Sequence, residues 1–138
     1  MQPTEGTMNE DIRRAVSRGH TIDITTIGRR TGQPRRIEIV FHNIDGRLYI
    51  SGTPNARRRR SWLANLEASP AFTFHLIGPL QADLPATARL ITDEAERRAI
   101  LPHVARAWRR DDLEAMVSWS PLIEVLVDGL ADPRAHAA

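Results

Sequence analysis

The sequence has 138 residues, 41% of them hydrophobic and 26% charged, which fits one folded domain over 1–138 and is too short for two ordinary ones. Nineteen basic residues against seventeen acidic ones give a formal net charge of +2, so no global charge argument supports a nucleic-acid partner. There is no cysteine, which excludes disulfides, thiolate nucleophiles and Cys-ligated metals, and no apolar run approaches the ~20 residues of a membrane span.

In chain order, Asn9 to Arg18 reads as a short helix with Ile12 and Val16 on one face and Gly19 as its stop. His20 to Thr26 alternates Ile22 and Ile24 with polar residues, a strand pattern. Ile27 to Pro34 holds two glycines and a proline and is predicted as a loop. Arg36 to Asn43 alternates again, with Ile37, Ile39 and Phe41 on one face. Asn43 to Gly46 is a hairpin turn and Leu48 to Ile50 the return strand.

Gly52 to Asn55 breaks that strand. A helix is predicted to follow, ending at Ala68 before Ser69-Pro70 and burying Trp62, Leu63 and Leu66. Ala71 to Ile77 is a strand with Phe72, Phe74 and Leu76 on one face. Leu80 to Leu90 returns as an irregular strand that Pro85 should interrupt. Asp93 and Glu96 have capping-box spacing at the start of a helix with an Ile100, Leu101, Val104 and Trp108 stripe. Pro102 should kink or split it. Leu113 to Val117 is a further helical turn and Leu122 to Val127 a last apolar strand. Residues 1–8 and 129–138 are expected to be loose ends around a core of about 20–127. Hairpins without regular crossovers predict a mainly β, α+β fold: a small barrel of about six mostly antiparallel strands with two or three flanking helices.

Every basic residue outside histidine is an arginine, and eight of the nineteen sit in two clusters: Arg29, Arg30, Arg35 and Arg36, and Arg57 to Arg60. The first cluster lies in a glycine-bearing loop whose backbone can approach a ligand closely, and guanidinium forks grip phosphate or carboxylate. A solvated turn that keeps a sheet edge soluble explains it equally well. The second cluster falls at the predicted start of the helix ending at Ala68, where cations oppose the helix dipole. An arriving anion would use both dipole and charges, and this favours a small anionic ligand over the solvated reading. A nucleic acid ranks lower, since no binding-module signature is present. The five histidines have no metal-ligand spacing, and His42 and His75 read as polar sheet residues. Tyr49 and Ser51 share a strand face that can hydrogen-bond a ring system or simply face solvent. Anion clamps without a catalytic dyad are what a cofactor-dependent reaction needs from its protein.

Asp23-Ile-Thr-Thr-Ile-Gly-Arg-Arg-Thr-Gly-Gln-Pro-Arg35, then Asp45-Gly46, Leu48-Tyr-Ile-Ser51, Ser61-Trp-Leu-Ala-Asn-Leu66 and Ser69-Pro70, resemble the deazaflavin-dependent nitroreductase family over about residues 20–127. The resemblance implies a split β-barrel like those that bind FMN. It implies coenzyme F-420, a deazaflavin with a phosphodiester and an oligoglutamate tail, as hydride donor to a hydrophobic quinone, nitro compound or activated enone. By motif, Arg29, Arg30, Thr31, Gly32, Gln33, Pro34 and Arg35 would hold tail and phosphate. Tyr49, Ile50, Ser51, Gly52 and Thr53 would pass the ring, with Tyr49 or Ser51 as weak proton-donor candidates. Ser61, Trp62 and Asn65 would close the site. Arg30 stands where the family has Lys, Glu38 where relatives often have Pro, and Thr53 where Lys is common, so Arg57 or Arg58 takes over its charge. The tyrosine-rich C-terminal segment of nitroimidazole-reducing members is missing. An FMN reductase and a non-catalytic carrier of an anionic cofactor are the alternatives. No metal is expected, the absence of a signal segment and of cysteine points to the cytoplasm, and a homodimer is left open.

Overall fold

The computed structural model of the chain describes residues 5–57 and 60–130. Its elements are α1 (Glu5–Ala15), β1 (Thr21–Ile27), β2 (Pro34–Ile44), β3 (Arg47–Ser51), α2 (Ser61–Ala68), β4 (Ala71–Ile77), β5 (Gln81–Leu90), α3 (Glu94–Ala107), α4 (Leu113–Trp119) and β6 (Leu122–Val127). The six strands close into a barrel in the order β1-β2-β3-β6-β5-β4. Every neighbouring pair is antiparallel, so each ladder finds a partner and no edge is left open.

The alternation read from the sequence fills the barrel. Ile22, Ile24, Phe41, Ile50, Phe74 and Ile123 are fully buried in one cluster, and Phe41 meets Phe74 edge-on at 5.3 Å. Each such side chain contributes roughly 1.5–3 kcal/mol by leaving water. Ile12 and Val16 before β1, and Trp62 and Leu66 of α2, join the same cluster. A second cluster lies under α3 and α4, where Tyr49 and Leu122 meet Ile91, Leu101, Val104 and Met116.

Several expectations need correction. The first helix begins at Glu5, inside the segment predicted to be loose; residues 1–4 and 131–138 lie outside the described residues. There are four helices among the described residues rather than two or three. Pro85 does not interrupt β5: it pairs in register with Thr73, and its carbonyl accepts from Asp128 N just past the end of β6. Its missing N–H therefore falls where that ladder has already ended. α3 runs from Glu94 to Ala107 with Pro102 inside it. Asp93 caps it as predicted, accepting from Glu96 N at 2.9 Å.

α2 starts only at Ser61, with Arg60 at the N-cap position and no side-chain cap. Arginine offers no side-chain acceptor for the helix's first N–H groups. Instead Asn55 Oδ1 accepts from Arg57 N at 3.0 Å and turns the chain ahead of the helix. The arginine run therefore precedes the helix, with only Arg60 at its mouth.

Candidate functional site

The β1–β2 loop is closed by its own backbone. Gly28 N donates to Gln33 O, and Gly32 N to Gly28 O, each at 2.8 Å. Thr31 Oγ1 accepts from Gln33 N at 3.2 Å. Gly32 sits at φ +70°, a conformation that glycine adopts without penalty. Arg29, Arg30 and Arg35 are left exposed.

Asn65 of α2 anchors this loop. It is 5% exposed; its Oδ1 accepts from Arg29 N at 3.0 Å and its Nδ2 donates to Thr26 Oγ1 at 3.1 Å. The amide is thus spent on holding β1, the loop and α2 together, and Asn65 is a positioning residue.

Beside the loop opens a cavity of about 1050 Å³. Arg29, Arg30 and Thr31 of the loop, with Arg35, Ile37 and Ile39 of β2, form one side; Ser51, Gly52, Thr53, Ser61 and Trp62 form the other. Trp108, after α3, also lines it. Arg60 enters from the mouth of α2, its Nη2 donating to Thr53 Oγ1 at 2.9 Å. Gly52 makes the room: a Cβ there would lie 2.8 Å from Arg60 Cζ. Partial burial pushes the Arg60 pKa down, yet a guanidinium stays charged at any physiological pH.

The charge balance is the site's main chemical property. Arg29, Arg30, Arg35 and Arg60 face one acid, Glu38. Elsewhere arginines meet carboxylates: Arg36 with Asp23, Arg47 and Arg89 with Glu124, Arg98 with Glu94 and Glu114, Arg110 with Asp112. Among the described residues no carboxylate pairs with any of the four cavity arginines. Guanidiniums without a carboxylate partner can grip phosphate or carboxylate oxygens.

The predicted site residues divide. Gly32, Gln33 and Pro34 shape the loop but do not line the cavity. Ser51 lines it, with its hydroxyl donating to Pro121 O at 2.7 Å. Tyr49 and Ile50 do not line it: Ile50 is inside the barrel and Tyr49 lies under α3 and α4, where burial raises its pKa. Arg57 lines a neighbouring cavity instead, and Arg58 lies outside the described residues. Lining residues that the expected set lacked include Thr26, Ile37, Ile39, Asn55 and Trp108, and Arg60 was expected only as part of its arginine run. Arg60 carried a signal, as the last of its run; Thr26 reads as an ordinary strand residue, and Trp108 comes from a distant helix end.

The two strand histidines are not solvated. His75 bonds Thr25 Oγ1 and Asp83 Oδ1, each at 2.7 Å, tying β1, β4 and β5. His42 packs edge-on against Trp108 at 5.1 Å, its Nε2 buried without a partner. Among the described residues no group of three or more His, Asp or Glu is placed to hold a metal, and no helix is long and apolar enough to cross a membrane.

A model of the F420H(2)-dependent quinone reductase family matches residues 4–128. The chain belongs to this family. It is an F-420-dependent reductase, and its cofactor F-420 carries its negative charge on a phosphodiester and glutamate tail, which suits four cavity arginines that pair with no carboxylate among the described residues. No curated protein sequence matches the reductase. Solved structures share its fold. A conserved hypothetical protein of Mycobacterium tuberculosis is 17% identical with TM-score 0.64, covering 93% of this chain and 82% of that one. General Stress Protein 26 of Bacillus anthracis is 18% identical with TM-score 0.61, covering 88% and 89%. An F420-H2 dependent reductase, FDR-A, is 19% identical with TM-score 0.58, covering 76% and 92%. The fold they share is the split β-barrel, closed here by six antiparallel strands.

Proposed function

We propose that this reductase binds the F-420 tail on Arg29, Arg30, Arg35 and Arg60 and delivers its reducing equivalents to a quinone. The observation that carries this reading is the set of four cavity arginines, none paired with a carboxylate among the described residues. When bound, reduced F-420 supplies the hydride. The chain's own residues bind and orient. Arg30 and Arg35 offer free guanidinium forks for phosphate or carboxylate oxygens, Thr31 a hydroxyl, and Ile37, Ile39, Trp62 and Trp108 an apolar surface for a flat ring. Ser51 keeps its hydroxyl hydrogen on Pro121 O and Tyr49 lies off the cavity. Proton delivery then falls to water, and the protein's contribution is orientation and electrostatics.

The test is a titration of the purified protein with F-420 and with FMN, read by absorbance and fluorescence, followed by turnover with a quinone, a nitro compound and an activated enone. F-420 should bind more tightly than FMN, and more tightly as its glutamate tail lengthens. Tighter FMN binding with no tail effect would sink the reading; a nitro compound outrunning every quinone would change the acceptor.

A further inference from the structure

Next to the arginine cavity lies a second one of about 620 Å³. The two share Asn55 and Arg60, so Arg60 stands between them. Three features of the second cavity are unexplained by the fold. Trp119, at the end of α4, lines it and is 55% exposed, an unusual place for a residue of its apolar area. Ser120 beside it is 4% exposed, and its hydroxyl has no hydrogen-bond partner, which a buried polar group normally finds. Arg97 lines the same space and is held by carbonyls alone: those of Ile91, Met116, Val117 and Ser120. Its charge is positioned but not neutralised.

The electrostatics are one-sided. Arg57, Arg60 and Arg97 line the cavity against a single acid, Glu94. Glu94 is turned to Arg98, 3.0 Å away, and is 71% exposed.

We propose that this second cavity binds a flat aromatic ligand carrying an anionic group, its ring against Trp119 and its charge toward Arg57, Arg97 and the Ser120 hydroxyl. The site adjoins the arginine cavity only through Asn55 and Arg60, so it is distinct from the apolar surface of Ile37, Ile39, Trp62 and Trp108. An aromatic face takes an oxidised ring by stacking. An unneutralised guanidinium in a partly dry wall favours a carboxylate or an ionised hydroxyl over a neutral isostere.

The experiment is a binding titration of the full chain without cofactor, using a naphthoquinone carboxylate and its methyl ester and reading tryptophan fluorescence. No cysteine is present to add to the quinone. The carboxylate should bind about tenfold or more tightly than the ester, as one charge-assisted contact implies, and salt should shrink the difference. Arg57→Ala and Ser120→Ala should narrow the gap between the two compounds. Trp119→Leu should weaken both while F-420 binding persists, which also shows that the variant is folded. Equal affinity for carboxylate and ester in the unaltered protein overturns the proposal. So does a loss of F-420 binding in Trp119→Leu with none in Arg30→Ala or Arg35→Ala, because the cofactor would then occupy the second cavity. A failure of the cofactor reading shows in the loop variants, and a failure of the anionic-ligand site shows in the ester comparison.

Discussion

The side-chain oxygen of Asn65 accepts the backbone N–H of Arg29 at 3.0 Å, joining α2 to the arginine loop across 36 positions of sequence. The other end of the same amide donates to Thr26 Oγ1. One buried side chain therefore sets the distance between the loop that carries the charges and the helix that closes the cavity. Asn65→Ala leaves Thr26 Oγ1 and Arg29 N without their partner. It should destabilise the protein by about 1–3 kcal/mol and weaken F-420 binding as well. Urea unfolding and the F-420 titration measure the two losses, and an unchanged cofactor affinity would show that the loop holds its shape unaided.

Arg30→Ala and Arg35→Ala separate binding from stability. Both side chains are exposed and without a carboxylate partner among the described residues. Each change should cost about 1.5–3 kcal/mol of F-420 affinity with the melting temperature unmoved. Normal binding by both variants would restore the solvated-turn reading of the loop.

Two glycines should respond in opposite ways. At Gly52 an added Cβ meets the far end of Arg60, 2.8 Å away, and a flexible guanidinium moves aside. Gly52→Ala should keep its stability, lose the Arg60 contact to Thr53 and bind F-420 less tightly. At Gly19 the added Cβ would lie 2.3 Å from Phe41 O, and a barrel strand cannot move aside cheaply. Gly19→Ala should lower the melting temperature. Thermal unfolding of the pair, with an F-420 titration at each, decides it.

Glu124 is 2% exposed and accepts from Arg47 at 2.7 Å through both oxygens and from Arg89 at 2.9 Å. Arg89 goes on to Glu96 of α3, so the carboxylate joins β3, β5, β6 and, through Arg89, a helix. Removing Glu124 takes from Arg47 its bidentate carboxylate and from Arg89 one of two carboxylate partners. Glu124→Ala should cost about 3–5 kcal/mol. A loss below about 1 kcal/mol in urea unfolding would place the group in a wetter setting than its burial indicates.

His42 makes stability depend on pH. Burial lowers its pKa below the usual 6.5, so the folded state takes up its proton less readily than the unfolded chain does. Its contribution is fully present above the unfolded value of about 6.5 and is lost as pH falls toward the depressed folded value. His42→Leu should remove that part of the slope. Because Trp108 touches His42 and also lines the arginine cavity, F-420 binding below pH 6.5 should weaken in the native protein more than in the variant. Titrations at two pH values compare them.

Much of this was readable along the chain because barrel strands with one buried face announce themselves. Ile22 and Ile24, and Phe72, Phe74 and Leu76, alternate as a period of two requires. The arginine loop announced itself by composition. What local pattern could not show was the outer layer. β6 is buried on both faces at most positions, because outside the barrel Leu122 packs under α3 and α4 and Glu124 is covered by Arg47 and Arg89, and the apolar run hid the one residue, Glu124, that organises that side. Tyr49 looked like a solvent-facing neighbour of the cavity for the same reason: its strand position was right, but the helices above it are set by contacts some 50–70 residues away, far outside any local window. The reverse error occurred at Arg57 to Arg60, where charge was legible but the late start of α2 depends on which residue can cap it.

The barrel order has a consequence for how the protein is made. β6 lies between β3 and β5, yet it is synthesised after both. Until residues 122–127 emerge, the five earlier strands form an open sheet with β3 and β5 as exposed rims, each offering unpaired backbone groups to any other chain nearby. The nascent protein must therefore wait for β6 before the sheet is safe from misassembly. A chaperone that shields those rims should raise the yield of folded protein, and slow translation of the last third of the message, which prolongs their exposure, should lower it.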